Sequence, residues 1–218
     1  MATIFFDSEF TGLHKNTSLI SIGLIADTGQ KFYAEITDYD KSQVNDWLQA
    51  NVIDNLWIKD GRFSWDYPDY YYCGDFKNIR EKLKKWLEQF ESIEWVSDVC
   101  HYDFVLLIDL VYGHALNMPY GKHNAACHDI NQDIARYYDI SEIEAFDKSR
   151  EEILEEHGVS IEGNKHNALY DAEVIKCLYE IVNNDEIEVP KEPREKVNCK
   201  NKAKIKSVIR EKKWKIKK

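Results

Sequence analysis

Long apolar segments are missing from this sequence. No stretch approaches the ~18 consecutive apolar residues of a membrane-spanning helix, and the first residues lack the basic segment and apolar run of a secretory signal. Hydrophobic residues still make up 44% of the 218 positions, and aromatic residues 13%. This composition excludes disorder over most of the chain and predicts a globular, cytoplasmic protein that does not contact a membrane.

Cysteine pairs are missing as well. The five cysteines are odd in number and widely spaced, and no Cys-x-x-Cys sequence occurs. This pattern argues against a disulfide framework and against a cysteine-ligated zinc site. We expect reduced thiols, most of them in the core, at Cys73, Cys100, Cys127, Cys177 and Cys199.

Positive charge is scarce except at one end of the chain. Residues 191–218 contain 13 Lys or Arg and 3 Glu, a net charge of +10. The whole chain has a net charge of −10, so residues 1–190 carry a net charge of −20. Two prolines accompany the change in composition, which predicts a domain of residues 1–189 and a basic, in part helical tail of residues 190–218. The tail is either a solvated terminus or an arm that binds phosphate.

Hydrophobic periodicity predicts alternating strands and helices in the domain. Residues 2–7, 19–26 and 31–36 are predicted strands, and the last two are joined by a turn at Asp27–Gln30. The later predicted elements are strands at 93–97 and 125–128 and helices at 76–90, 102–112, 131–138 and 167–182. An antiparallel meander followed by strand and helix alternation indicates an α/β fold with a mixed sheet flanked by helices.

Two segments have weaker patterns. Residues 38–51 have room for a helix. Residues 60–74, which contain the sequence RFSWDYPDYYYCG, are rich in turn-forming residues and predict an irregular aromatic loop. The tyrosines of this loop either cover the core or stack on bases.

Two aspartates stand at the start of the apolar faces of predicted helices. The residues that follow at helical spacing are Leu106, Leu107 and Leu110 after Asp103, and Val174, Ile175, Leu178 and Val182 after Asp171. An acid in a first turn complements the helix dipole. A carboxylate that faces a core is less ordinary, because without a partner it costs several kcal/mol or takes up a proton.

Two more acids follow the first apolar strand residues. Asp7 and Glu9 come after Ile4–Phe6, and a period of two places both side chains on the same face. Each acid alone has an ordinary structural explanation. Together, the four acids point inward from a strand and two helices, which predicts a divalent metal site, since hard cations bind oxygen ligands and neutralise such a cluster.

One histidine is placed to act beside these acids. His166 precedes Asp171 by five residues, about 140° around an ideal helix, so the two do not share a helical face. We expect His166 in the loop that follows Gly163, with Asn167 as the helix N-cap. A surface histidine is the commoner explanation in isolation, but a pKa near neutrality suits a general base.

Together these residues resemble the DEDDh 3′→5′ exonucleases, whose fold is RNase H-like. The family's first motif resembles FFDSEFTGL, its second resembles VCHYDFVLL, and its third, His-x-Ala-x-x-Asp-Ala, resembles HNALYDA. The motifs span residues 4–182 in the family's order and are most similar to compact bacterial and phage exoribonucleases. One departure is that many members carry His-Asn-Ala before the aromatic residue and acid of the second motif, where residues 98–101 here are Asp-Val-Cys-His.

The resemblance implies a hydrolase that releases nucleoside 5′-monophosphates from the 3′ end of nucleic acid, with RNA favoured. It implies that Asp7, Glu9, Asp103 and Asp171 hold two Mg²⁺ ions, for which Mn²⁺ can substitute, and that His166 takes the proton of the attacking water. Single-stranded DNA as the substrate, and a non-catalytic nucleic-acid-binding protein of the same fold, are the alternatives. Relatives are often dimers, so a homodimer is compatible with the resemblance.

The same resemblance places substrate contacts directly after Glu9. The candidates are Phe10, Thr11, Gly12 and Leu13. Glycine allows a close approach of the backbone, and the leucine occupies the position that packs against a terminal base in the family. The alternative is that this leucine begins a turn on the core.

Overall fold

A computed structural model describes residues 1–58 and 68–183. Its strands are β1 (Ala2–Phe10), β2 (Leu19–Ala26), β3 (Lys31–Ile36), β4 (Tyr71–Gly74), β5 (Ile93–Ser97) and β6 (His123–Asp129). They form one sheet in the order β4-β3-β2-β1-β5-β6. β2 is antiparallel to β1 and β3, whereas β1–β5, β5–β6 and β3–β4 are parallel pairs. The predicted mixed sheet of an α/β fold is thus confirmed.

Helices connect and flank these strands. Within the described ranges the α-helices are α1 (Asp46–Asn51), α2 (Phe76–Leu87), α3 (Cys100–Tyr112), α4 (Ile130–Tyr138), α5 (Glu142–Asp147), α6 (Arg150–Glu156) and α7 (Ala168–Asn183). None of these described helices has the length and apolar character that a membrane crossing requires.

The central strand β1 is buried on both faces of the sheet. On one face Phe6 belongs to a core with Leu83 of α2 and Leu107 of α3. On the other, Phe5 belongs to a second core with Ile175 of α7. Each of these five side chains is at most 1% exposed, and burial of one such side chain contributes roughly 1.5–3 kcal/mol. The two cores therefore fix α3 and α7 on opposite sides of β1.

Most of the predicted elements are confirmed, with shifted ends. The strand predicted at residues 2–7 continues to Phe10, because β2 pairs with it up to an irregularity after Glu9. The turn predicted at Asp27–Gln30 joins β2 to β3. α2, α3, α4, α7, β5 and β6 also lie where the periodicity predicts them.

The prediction of an irregular aromatic loop over residues 60–74 is wrong for its last four residues. Tyr71–Gly74 form the edge strand β4, because a parallel partner, β3, is available across the fold. Tyr71 is buried, and the ring of Tyr72 stacks on Phe32 at a centroid distance of 4.8 Å, so both tyrosines cover the core. Residues 60–67 of the predicted loop lie outside the described residues.

Two short helices, α5 and α6, were not expected from the sequence. Each begins at a serine N-cap: Ser141 accepts from the Glu144 amide, and Ser149 from the Glu152 amide. Two turns present too few apolar residues for a recognisable period. The helix expected within residues 38–51 is also shorter than that range and occupies only α1.

The cysteine prediction is confirmed in part. The four cysteines in the described ranges are free, half-buried thiols, and three of them, Cys73, Cys127 and Cys177, pack against the buried cores. Cys73 and Cys127 lie on the two edge strands of the sheet, β4 and β6. Cys199 and the predicted basic tail fall outside the described residues, so the domain boundary at residue 189 stays a prediction.

Gly23 of β2 permits a close approach between the sheet and the start of α7. It pairs with Asp7 of β1. A Cβ atom at Gly23 would lie 2.3 Å from the carbonyl oxygen of Ala168 and 2.3 Å from the amide nitrogen of Leu169. Only glycine lets the helix backbone contact the strand at this point. The first turn of α7, with Asp171, is thereby brought to the strand beside Asp7.

We predict that Gly23→Ala displaces the start of α7 and lowers the free energy of unfolding by at least ~1–3 kcal/mol, the usual cost of overpacking. Urea denaturation measures the change. Gly74→Ala is the matched control, because the nearest atoms to its added carbon belong to the Asn78 side chain, at 3.3 Å or more. An equal, small effect of both substitutions would contradict the role given to Gly23.

Candidate active site

Asp7 and Glu9 lie within β1 and project from the same side of the strand. Their register partners on β2 are Gly23 and Ser21. Ser8, between them, projects to the opposite side, as the period of a strand requires. The pairing with β2 thus holds two carboxylates at a fixed spacing on a rigid element.

Asp103 is held by two hydroxyl groups. It lies in the first turn of α3 and is 1% exposed. The Ser8 hydroxyl donates to Asp103 Oδ1 at 2.6 Å, and the Ser97 hydroxyl donates to Oδ2 at 2.8 Å. Because both carboxylate oxygens accept a hydrogen bond, the side chain has a single orientation. Ser97 is the last residue of β5, so two adjacent strands and a helix meet at this carboxylate.

Asp171 and His166 are joined at the start of α7. His166 lies in the preceding loop, as predicted, with a φ of 63° in the left-handed region. Its amide donates to Asp171 Oδ2 at 2.9 Å, and its ring Nδ1 lies 3.8 Å from Glu9 Oε1. The Asn167 side chain accepts from the Leu169 amide at 3.2 Å and so caps the helix, also as predicted.

The potential ligand atoms form two groups of three. Glu9, His166 and Asp171 form one group, with one ligand atom from each within 4.8 Å of the others. Asp7, Asp98 and Asp103 form the second in the same way. All four acids predicted from the sequence, and the histidine, are therefore brought together.

Burial and mutual repulsion act strongly on these carboxyls. Burial first, and then neighbouring acids, raise the pKa of Asp7 and Glu9 well above their ordinary values. Burial is also the main cause that raises the pKa of Asp103 and of Asp171 to about 7. Such a cluster needs protons or cations to offset its charge. The carboxylate oxygens of this cluster fit a hard divalent cation such as Mg²⁺ or Mn²⁺.

The surroundings of the His166 ring favour its neutral form. Burial first, and then the nearby Lys165 charge, lower the pKa of its imidazole. The side chain keeps 31% of its exposure, so a small molecule can reach it. A neutral, reachable imidazole beside a carboxylate can accept a proton.

Comparison with known proteins agrees with this geometry. A family model described as the 3'-5' exoribonuclease Rv2179c-like domain matches residues 2–182. The chain belongs to this family. The predicted membership in a 3′→5′ exoribonuclease family is therefore confirmed.

One curated relative in the Rv2179c-like family is the 3'-5' exoribonuclease Rv2179c of Mycobacterium tuberculosis. It is 35% identical over 52 residues, which is 24% of this chain. The aligned stretch spans 31% of that relative, or less than a third of its length.

Solved structures show the same fold. The nuclease domain of 3'hExo, a DEDDh family member bound to rAMP, has a TM-score of 0.56 at 13% identity and covers 88% of this chain and 97% of that one. S. pombe Pop2p in its Mg²⁺- and Mn²⁺-bound form has a TM-score of 0.53 at 14% identity, with coverage of 84% and 83%. The RNase H-like class of the fold is confirmed.

The four candidate substrate contacts lie beside the acids but differ in exposure. Leu13 is 72% exposed, and Gly12 is half-buried, with its amide donating to Thr17. Phe10 stacks on Tyr102, with ring centroids 5.4 Å apart.

Thr11 differs from the other three candidates because its side chain is engaged inside the protein. It is 5% exposed. Its hydroxyl donates to Gln43 Oε1 and accepts from the Ser18 amide at 2.8 Å. This side chain closes the loop after β1, and substrate contact by Thr11 stays a prediction.

Sequence reasoning missed four residues of the site. Ser8 could have been found, because a period of two directs it toward the helix that carries Asp103. Asp98 was noted only as a departure from the second motif. Ser97 and Trp47 gave no signal, since their roles depend on contacts between distant segments; the Trp47 ring centroid lies 5.2 Å from that of His166.

We predict that the metal-free protein loses stability as the pH rises from about 4 to about 7. The folded state raises the pKa of Asp103 and Asp171 to about 7, so it binds protons more tightly than the unfolded chain, and the contribution is lost as those protons leave. Thermal melting in EDTA measures this fall. Saturating Mg²⁺ should reduce or reverse it.

Asp171→Asn is the matched variant for this test, because it removes one of the titrating carboxyls. The melting temperature of this variant in EDTA should depend less on pH. A metal-free wild-type protein whose stability rises steadily over the same range would contradict the electrostatic description of the site.

Proposed function

We propose that this protein is a metal-dependent 3′→5′ exonuclease that acts on RNA and releases nucleoside 5′-monophosphates. The observation that carries the proposal is that Asp7, Glu9, Asp103 and Asp171 belong to two groups of potential ligands joined through β1, with the His166 ring 3.8 Å from Glu9. Membership in a family described as 3'-5' exoribonucleases supports both the reaction and the choice of RNA.

The carboxylates would hold two Mg²⁺ or Mn²⁺ ions. The fit rests on the donor set itself, because buried acids with raised pKa values bind cations in place of protons. When bound, such ions activate a water molecule and stabilise the charge that develops on the departing 3′ oxygen. Asp103 keeps its orientation through Ser8 and Ser97, and Asp171 through the His166 amide.

His166 would accept the proton of the attacking water. Its main-chain amide donates to Asp171, and its ring lies beside Glu9. Its lowered pKa keeps the imidazole in the neutral form that accepts a proton at neutral pH. Removal of a positioned general base typically lowers a rate by about 10²–10⁴-fold.

Two exposed apolar side chains beside the acids would receive the terminal base. Leu13 is 72% exposed and Trp47 is 55% exposed. The Trp47 ring lies against His166, so a base stacked there would hold its phosphate near the carboxylates. Stacking on an aromatic side chain such as Trp47 contributes about 1–3 kcal/mol per base and depends little on base identity.

Three sequence predictions belong to the same proposal. The basic residues after position 190 would bind the phosphate backbone and offset the charge of the acidic domain. A cytoplasmic location and a homodimer are compatible with the proposed reaction. Single-stranded DNA is the competing substrate, and the assay below distinguishes it from RNA.

We predict metal-dependent, stepwise shortening of 5′-labelled single-stranded RNA, with nucleoside 5′-monophosphates as products. The assay uses RNA and DNA, single- and double-stranded, with Mg²⁺, Mn²⁺ or EDTA. Asp171→Asn should abolish activity, and His166→Ala should lower the rate by about 10²–10⁴-fold, as expected for a general base. His114→Ala is the control, because that residue is exposed and precedes the 3₁₀ helix Ala115–Asn117.

Three results would overturn the proposal: cleavage inside the strand, activity that survives EDTA, or full activity of both site variants. Preferential shortening of DNA would support the exonuclease activity but show that the substrate is DNA rather than RNA. Binding of RNA without any cleavage would favour the non-catalytic alternative.

A further inference from the structure

A fifth acid, Asp98, enters the carboxylate cluster directly after β5. One of its carboxylate oxygens lies within 4.8 Å of ligand oxygens from both Asp7 and Asp103. Its side chain is 19% exposed, so the carboxylate is largely shielded from water. This residue occupies the place where the second motif departs from the pattern that many relatives share.

Asp98 is fixed from two directions. Arg150 Nε donates to its Oδ2 at 3.4 Å, and Asn131 Nδ2 donates to its main-chain oxygen at 2.7 Å. Arg150 is itself immobilised, because one of its terminal nitrogens donates to the carbonyl oxygens of Ala145 and Lys148, each at 2.9 Å. The guanidinium also donates to Asn131 Oδ1. Arg150, the first residue of α6, therefore holds the Asp98 carboxylate in one position.

An ion pair alone does not explain why Asp98 faces the cluster. One carboxylate oxygen from each of Asp7, Asp98 and Asp103 lies within 4.8 Å of the other two, and like charges at such distances repel one another. A fifth carboxylate in that position therefore opposes folding unless a cation lies among the acids. Arg150 offsets part of this charge but contacts it from the side of α6.

Asp103 has a limited capacity to hold an ion, so a fifth acid can supply an oxygen ligand that Asp103 does not. Both of its oxygens already accept hydroxyl hydrogens, from Ser8 and Ser97. Part of its lone-pair capacity is therefore in use. A further oxygen donor beside Asp7 would complete the ligand set on this side of the site.

We propose that Asp98 helps to hold the divalent ion at Asp7 and Asp103, and that Arg150 is the residue that positions it. The inference rests on the proposed metal-dependent function and extends its ligand set from four acids to five. The proposal also gives α6 a role in the active site, because α6 packs in the second core and its first residue, Arg150, contacts Asp98.

The test is calorimetric titration of Mg²⁺ and Mn²⁺ into the full-length protein without substrate. Asp98→Asn should weaken the binding of one of the two ions at least tenfold, and its melting temperature in EDTA shows whether the variant is folded. The Mg²⁺ concentration for half-maximal RNA shortening should rise by a similar factor, and excess Mg²⁺ should restore the rate. Asp109→Asn, on the exposed side of α3, is the matched control.

Arg150 is tested by a double-mutant cycle. Arg150→Lys keeps the charge but loses the planar group that bridges two carbonyl oxygens and a carboxylate. It should weaken the binding of the same ion severalfold in the wild-type background. In the Asp98→Asn background it should cause no further loss of ion affinity. Equal effects in both backgrounds would show that Arg150 does not act through Asp98 and would overturn its assigned role.

Unchanged ion binding by Asp98→Asn would overturn the inference and leave Asp98 as a structural partner of Arg150. If this variant does not fold, Asp98→Ser replaces it, because serine removes the carboxylate and keeps a small polar side chain, and an ion affinity equal to that of the wild type would again overturn the inference. A wild-type protein that binds two ions and degrades RNA separates this failure from a failure of the proposed function. A wild-type protein that binds no divalent ion would overturn both.

Discussion

Repulsion among carboxylates that share one small volume is the constraint on which the rest of this structure depends. Acids from β1, from the end of β5, and from the first turns of α3 and α7 converge on it. Burial removes the water that would screen them, which raises the pKa values of Asp7, Glu9, Asp103 and Asp171. A fold can hold such an arrangement only if its core is rigid and a cation offsets the charge.

The architecture supplies that rigidity from both faces of the sheet. One core fixes α3 and the other fixes α7, and both are built on β1, whose Phe5 and Phe6 project to opposite sides. Gly23 lets α7 approach the neighbouring strand to main-chain contact distance. Hydroxyl groups at Ser8 and Ser97 then set the orientation of Asp103. The positions of the acids therefore follow from packing, and their orientations follow from hydrogen bonds.

Much of the site could be predicted from the sequence because its signals are local. A period of two places Asp7 and Glu9 together, and a helical period identifies Asp103 and Asp171 at the starts of apolar faces. The position of His166 before the α7 cap follows from its angular offset on an ideal helix.

The features that escaped prediction depend on contacts between distant segments. β4 is a strand because β3 offers it a parallel partner. Asp98 belongs to the cluster because Arg150, 52 positions later, holds it there. Ser97 and Trp47 contribute through neighbours that no short-range pattern reveals. Local periods thus predicted the elements and the motif acids, whereas the residues that orient them required the tertiary structure.

The most direct test of the central claim is anomalous diffraction from crystals of the full-length protein grown with Mn²⁺ and without substrate. The account predicts two anomalous peaks within the carboxylate cluster, one beside Glu9 and Asp171 and the other beside Asp7 and Asp103. No peak at the cluster, or peaks only elsewhere on the protein, would contradict the account.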